Sequence, residues 1–106
     1  MKKNTKDLEY GGEKMYVILV YDIELDEEGN RILRNVFKIC KKYLHHVQKS
    51  VFEGELTEVE LRQLEYELGE YIRKDKDSVI VFWSRTEKWL HKEFWGIEED
   101  RTSAII

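Results

Sequence analysis

Asp22 closes a run of seven uncharged residues, Met15 to Tyr21. A carboxylate at the carboxyl end of a central strand stands where sites form in open sheets. The same residue type also ends strands by capping the next turn. One carboxylate alone holds a divalent cation poorly: Mg²⁺ keeps several waters and takes one or two carboxylates together with substrate phosphates. A two-fold dimer meets that need by bringing Asp22 from each chain together. The other reactive side chains form no comparable pattern. His45 and His46 are adjacent, so in a strand they face opposite sides, and His91 stands alone. No Cys-x-x-Cys or His-Glu-x-x-His spacing occurs, and no zinc centre is expected. The single cysteine, Cys40, falls on an apolar helix stripe and reads as core. Ser50 lacks an evident His–Asp pairing for acyl transfer. No glycine-rich phosphate loop is present.

Positive charge is segregated. The net charge is -4, from 18 Lys+Arg against 22 Asp+Glu, a balance that argues against a nucleic-acid partner when taken as a whole. Yet Arg31 to Ser50 contains Arg31, Arg34, Lys38, Lys41, Lys42 and Lys49 with His45 and His46, and no acid. Arg31, Arg34, Lys38 and Lys41 recur at helical spacing and form one stripe opposite the apolar face. Such a stripe is a candidate phosphate-backbone contact, which holds a duplex without reading its sequence. The plainer alternative is a solvated helix face. From Glu53 to Glu70 the pattern reverses, with seven Glu and only Arg62.

The elements that position these groups follow from periodicity. MYVILVYDI, from Met15, is a β-branched and aromatic run of strand length, apolar enough for a central strand covered on both faces. Glu24 to Asn30 is an acidic turn whose charges favour the positive end of the next helix. Ile32, Val36, Ile39, Cys40 and Tyr43 share one face of a helix over Arg31–Leu44. His45 to Leu56 is extended, as one bent strand or as two strands with a turn near Lys49-Ser50. Thr57 and Glu60 form a capping box, and a helix over about Glu58–Arg73 buries Leu61, Leu64, Leu68 and Ile72. After the charged turn Lys74–Asp77, Ser78 to Trp83 reads as another buried strand. Trp89, Phe94 and Trp95 suggest a short packed segment near the end. The order describes an α+β, ferredoxin-like βαββαβ sandwich with both helices on one face. The other face needs cover, which points to a second copy. The apolar end, Ala104-Ile105-Ile106, is expected to dock on that partner subunit.

With 106 residues the chain makes one domain. Its 42% apolar and 12% aromatic content excludes a disordered chain. A lone Cys excludes an intramolecular disulfide framework. The longest apolar run, Met15 to Tyr21, is far short of a membrane span, and no secretory signal is visible, so the chain reads as cytoplasmic. Residues 1–14 read as a flexible extension, with the domain over 15–106 and Met15 as its natural start.

Two segments carry a family resemblance. Residues 16–23 (YVILVYDI) and 47–56 (VQKSVFEGEL) resemble the opening strand and the hallmark stretch of CRISPR-associated protein 2, with a basic helix between them as in that family. The resemblance implies a ferredoxin-like homodimer acting as a metal-dependent endonuclease on single-stranded RNA or double-stranded DNA. It also implies a place in spacer acquisition, where the dimer bridges two dimers of the integrase, CRISPR-associated protein 1, and supports the DNA to be inserted. By that resemblance Asp22 binds Mg²⁺ at the dimer axis, and Tyr21, Ser50 and Phe52 share the catalytic positions. Arg31, Arg34, Lys38, Lys41, Lys42 and His46 become the nucleic-acid-binding set. His46 stands where many members have Arg or Lys, which makes a phosphate contact there pH-dependent. A non-catalytic scaffold that binds duplex DNA and bridges integrase dimers is the alternative.

Overall fold

Residues along the first strand point alternately into a packed layer and away from it, and this decides the layering. The structure, a computed structural model, describes residues 12–85 and 91–96. The elements run β1 (Lys14–Asp22), α1 (Gly29–Tyr43), β2 (His45–Gln48), β3 (Val51–Thr57), α2 (Glu58–Gly69) and β4 (Ser78–Ser84). Met15, Val17, Leu19 and Tyr21 of β1 enter one core with Phe52 and Leu56 of β3. Ile32, Val36, Ile39 and Cys40 of α1 and Leu61, Leu64 and Leu68 of α2 close that core from one side. Both helices therefore lie on one face of the sheet, as right-handed crossovers require.

The sheet has four strands in the order β2-β3-β1-β4, all neighbours antiparallel. This is the ferredoxin-like α+β arrangement expected from the sequence. The extended stretch after α1 is two strands joined at Lys49-Ser50, where Lys49 takes a positive φ of 39°. The capping box is present in full: Glu60 N–H donates to the Thr57 hydroxyl at 3.1 Å, and Thr57 N–H to the Glu60 carboxylate at 2.8 Å. At the start of α1, the Asp26 side chain accepts from the Glu28 amide at 3.3 Å. Gly29 is required there, because a Cβ would overlap the Glu24 carbonyl oxygen.

Three expectations need correction. First, α2 ends at Gly69, not Arg73. Tyr71 and Ile72 still pack against the core, but they do so from the segment that follows the helix. Second, β1 is fully covered on one face only; on the other Tyr16 is buried but Ile18 and Val20 are only half-buried. Third, β4 is not a buried strand. It is the sheet edge, and Ile80, Val81, Phe82 and Trp83 are all exposed. Two helices cover the middle of a four-stranded sheet and leave the edge strand uncovered. Beside it an apolar groove of about 430 Å³ opens between Leu61, Leu64, Leu68, Val81 and Trp83. Trp89 and the apolar end at 104–106 lie outside the described residues.

Candidate cation site and nucleic-acid surface

Asp22 is the last residue of the central strand, and its neighbours on either side show where it points. Tyr21 and Ile23 are both buried in the core, so Asp22 projects to the opposite, open face, and it is exposed. No hydrogen bond or ion pair engages its side chain among the described residues. Its backbone is held from both sides. The Tyr21 amide donates to the Ser50 carbonyl at 3.1 Å, and Asp22 pairs with Ser78 of β4. Around it on the open face stand Val20, Val51, Ile80 and Phe82, an apolar setting with Asp22 at its edge. Farther along that face Glu53 accepts from the Tyr16 hydroxyl and from Lys92. Burial works against the Glu53 charge, but Lys92 and Tyr16 outweigh it and hold the carboxyl below its ordinary range.

Two of the other expected catalytic residues, Tyr21 and Phe52, are not on this face. Tyr21 and Phe52 stack inside the core with ring centroids 6.0 Å apart. Burial pushes the Tyr21 phenol up to about 12, so at neutral pH it keeps its proton. Both rings support the end of β1 from below. Ser50 lies beside that end through its carbonyl. Cys40 is core, with its thiol pushed up to about 12 by burial.

The basic residues lie on the outer side of α1, away from its buried face and from the open face of the sheet. Arg31 is paired with Glu28 at 3.4 Å, and Lys42 with Glu67. Lys41 sits 5.9 Å from the Phe37 ring centroid. Arg34 and Lys38 are exposed, and no ion pair engages them among the described residues. The stripe therefore offers phosphates Arg34, Lys38 and Lys41 first. His46 is placed differently. Its ring packs 4.8 Å from both Phe37 and Phe52, Nε2 donates to the Lys49 carbonyl at 2.8 Å, and Nδ1 is buried without a partner. In this arrangement Nε2 is taken by the Lys49 carbonyl and Nδ1 is enclosed, so neither nitrogen is open to a phosphate.

One charged cluster was not foreseen. Arg73, Asp77, Asp26 and Lys76 join the loop after β1 to the start of β4. An Arg–Asp pair four residues apart, directly before an apolar strand, was the available signal. Among the described residues no group of three His, Cys, Asp or Glu gathers as a metal site. A cation at Asp22 must therefore draw its other ligands from water, phosphates and a second copy. That fits Mg²⁺, whose usual share of protein ligands is small. No helix among the described residues is long and apolar enough to cross a membrane.

Comparison with known proteins adds the family context. Residues 15–92 match the family described as CRISPR associated protein Cas2. The chain is similar to a Fusobacterium nucleatum protein named CRISPR-associated endoribonuclease Cas2, 57% identical over 106 residues and 100% of both chains. A protein of the same name from Dictyoglomus turgidum is 37% identical over 92 residues, 87% of this chain and 100% of its own. Among solved structures, one described as a crystal structure of cas2 aligns with a TM-score of 0.71 at 33% identity, over 88% of this chain and 99% of that one. Streptococcus pyogenes Cas2 aligns with a TM-score of 0.65 at 27% identity, over 74% of this chain and 98% of its own.

Proposed function

The chain belongs to the CRISPR associated protein Cas2 family, and from that premise we propose that it is a magnesium-dependent endonuclease of RNA or DNA phosphodiester bonds that works as a homodimer in spacer acquisition with the CRISPR integrase. The observation that carries this reading is Asp22: an exposed carboxylate with no ion pair among the described residues, at the end of the central strand, on the apolar open face. A second copy seated on that face covers Ile80 and Phe82, which are 52% and 57% exposed in the single chain. The same packing brings two Asp22 carboxylates toward one axis. The two Asp22 carboxylates would hold a magnesium ion there, and the chemistry it would supply is a water of lowered pKa and neutralisation of the scissile phosphate. The chain itself contributes a fixed Asp22 backbone, an apolar surround that limits water, and Arg34 and Lys38 as phosphate contacts. The names of the relatives favour RNA as the substrate.

One observation favours a second reading. The basic stripe lies on the helix side, and Asp22 lies on the opposite face of the sheet. A duplex held along α1 therefore need not approach Asp22, as in a scaffold that binds DNA and bridges integrase dimers. Matched wild-type and Asp22→Asn dimers, assayed on single-stranded RNA and duplex DNA with Mg²⁺ or EDTA, separate the two. The nuclease reading expects cleavage by wild type in Mg²⁺ and its loss in both EDTA and Asp22→Asn. Cleavage unaltered in Asp22→Asn overturns it, and unchanged salt-sensitive duplex binding with no cleavage by either protein supports the scaffold.

A further inference from the structure

The chain leaving Asp22 is held by a charged cluster that plays no part in the chemistry just described. Asp77 precedes β4, and its side chain is wholly enclosed, at 0% exposure. Its carboxylate accepts from Arg73 Nε at 2.9 Å and Nη2 at 3.0 Å, from the Arg73 amide at 2.9 Å, and from the Glu24 amide at 2.9 Å. Arg73 Nη1 reaches both Asp26 oxygens, at 2.7 and 2.9 Å, and Nη2 also donates to the Glu24 carbonyl at 2.8 Å. Every guanidinium N–H is thus engaged. Lys76 adds a bond to Asp26 at 2.8 Å.

The partners matter more than their number. Glu24 gives both its amide and its carbonyl, and these two groups set the direction of the chain two residues past Asp22. Asp77 is next to Ser78, the residue paired with Asp22 across the ladder. The cluster therefore ties the end of β1 to the start of β4 at the one place where β1 has run out of strand partners. A buried ion pair is a weak way to gain stability, since an apolar plug of similar volume does as well. A five-donor fork is a strong way to fix backbone geometry. Arg73 and Lys76 also neutralise Asp26 in the acidic loop beside Asp22, which lowers repulsion of an approaching phosphate.

We propose that Arg73 is a positioning residue for the Asp22 site: through Asp77 and the Glu24 backbone its guanidinium fixes the end of β1, and with it the direction in which the Asp22 carboxylate stands. This rests on the reading of Asp22 as a cation-holding carboxylate. Arg73 touches no reacting atom.

The test uses the full-length protein, with Arg73→Gln, Arg73→Lys and Asp26→Asn set beside Arg62→Gln. Arg62 bonds Glu58 and Glu65 on the exposed side of α2, so its loss removes a comparable set of charges far from Asp22. Binding of Mn²⁺ alone is followed by the electron-spin signal of the free ion. Steady-state cleavage of a single-stranded RNA in Mg²⁺ is measured in parallel, per folded molecule. Arg73→Gln raises half-saturating Mn²⁺ by about 10-fold or more, as loss of a group supporting a ligand does. Its kcat falls by a similar factor while KM moves less than about 2-fold, because Arg73 itself contacts no part of the substrate. Arg73→Lys recovers little, since an ammonium cannot reproduce the fork. Asp26→Asn keeps the enclosed Asp77 pair, so it tests the cluster if Arg73→Gln does not fold, and it raises half-saturating Mn²⁺ by roughly 3-fold. Arg62→Gln leaves both readouts at wild type. The proposal is overturned if Arg73→Gln, or Asp26→Asn in its place, melts lower yet keeps wild-type Mn²⁺ affinity and kcat. If wild type and Asp22→Asn bind Mn²⁺ alike, the cation-site reading itself fails and the positioning role falls with it. That failure shows in a pair of proteins that does not include an Arg73 variant.

Discussion

Two aspartates stand at adjoining ends of paired strands, and they face opposite physical situations. Asp77 is enclosed, with its oxygens taken by Arg73 and by two backbone amides. Those bonds, the Arg73 side chain foremost, pull its carboxyl down to about 2. Asp22, paired through Ser78 to the next residue along, is exposed and free of ion pairs among the described residues. One carboxylate has all its bonding capacity spent on holding the chain. The other has its capacity held in reserve. A carboxylate whose surroundings give it nothing to bind is the one able to take a ligand, and a residue saturated by its own chain is a structural tie.

Breaking each aspartate in turn sharpens this contrast. Asp22→Asn is expected to lower Mg²⁺-dependent cleavage by about 100-fold or more while changing folding stability by no more than about 0.5 kcal/mol. Single-turnover cleavage and a urea titration of the same samples check both halves. Asp77→Ala should do the reverse in stability, removing about 3 kcal/mol by stranding part of the Arg73 charge, read from the same urea titration. Acid separates the two regions further. The folded Asp77 pKa, about 2, lies below the unfolded value near 4. Its contribution is therefore complete above about pH 4 and is lost as pH falls toward 2. Asp26, lowered by Lys76 and Arg73, moves in the same direction. Asp77→Ala should accordingly show a shallower fall in stability over that window, measured by melting at each pH.

Two smaller effects probe the faces of the sheet. Phe82→Glu on the open face should raise the dimer dissociation constant by roughly 10-fold or more, with the monomer still folded because Phe82 is 57% exposed. Sedimentation velocity across a dilution series reads this. On the helix side, Arg34→Ala or Lys38→Ala should each reduce the slope of log K against log salt for duplex binding by about 1. A wild-type slope for either variant removes that residue from the phosphate surface.

Much of this was legible in the residues themselves. The apolar spacing of α1, the Thr57–Glu60 capping box and the end of β1 at Asp22 are local signals, and local signals survive folding unchanged. β4 was misread for a physical reason. SVIVFWS is as apolar as β1, but hydrophobicity states what a strand prefers to be next to and not what is there. In the single chain the edge position leaves it open. Arg73–Asp26 spans 47 residues in sequence, beyond anything periodicity can register. Tyr21, Phe52 and His46 show the same gap. Their motif positions place them near Asp22 along the strands, while the pleat sends Tyr21 and Phe52 into the core and seats His46 between Phe37 and Phe52.

From sequence alone came the α+β order, the family resemblance, the basic stripe and the choice of Asp22, because each rests on residue type and short spacing. Only the tertiary structure decided which carboxylate is free and which is spent, since that depends on partners brought from distant segments. It also decided that Asp22 and the basic stripe occupy opposite faces: a period of two along β1 and the packing of both helices on one side leave no other arrangement.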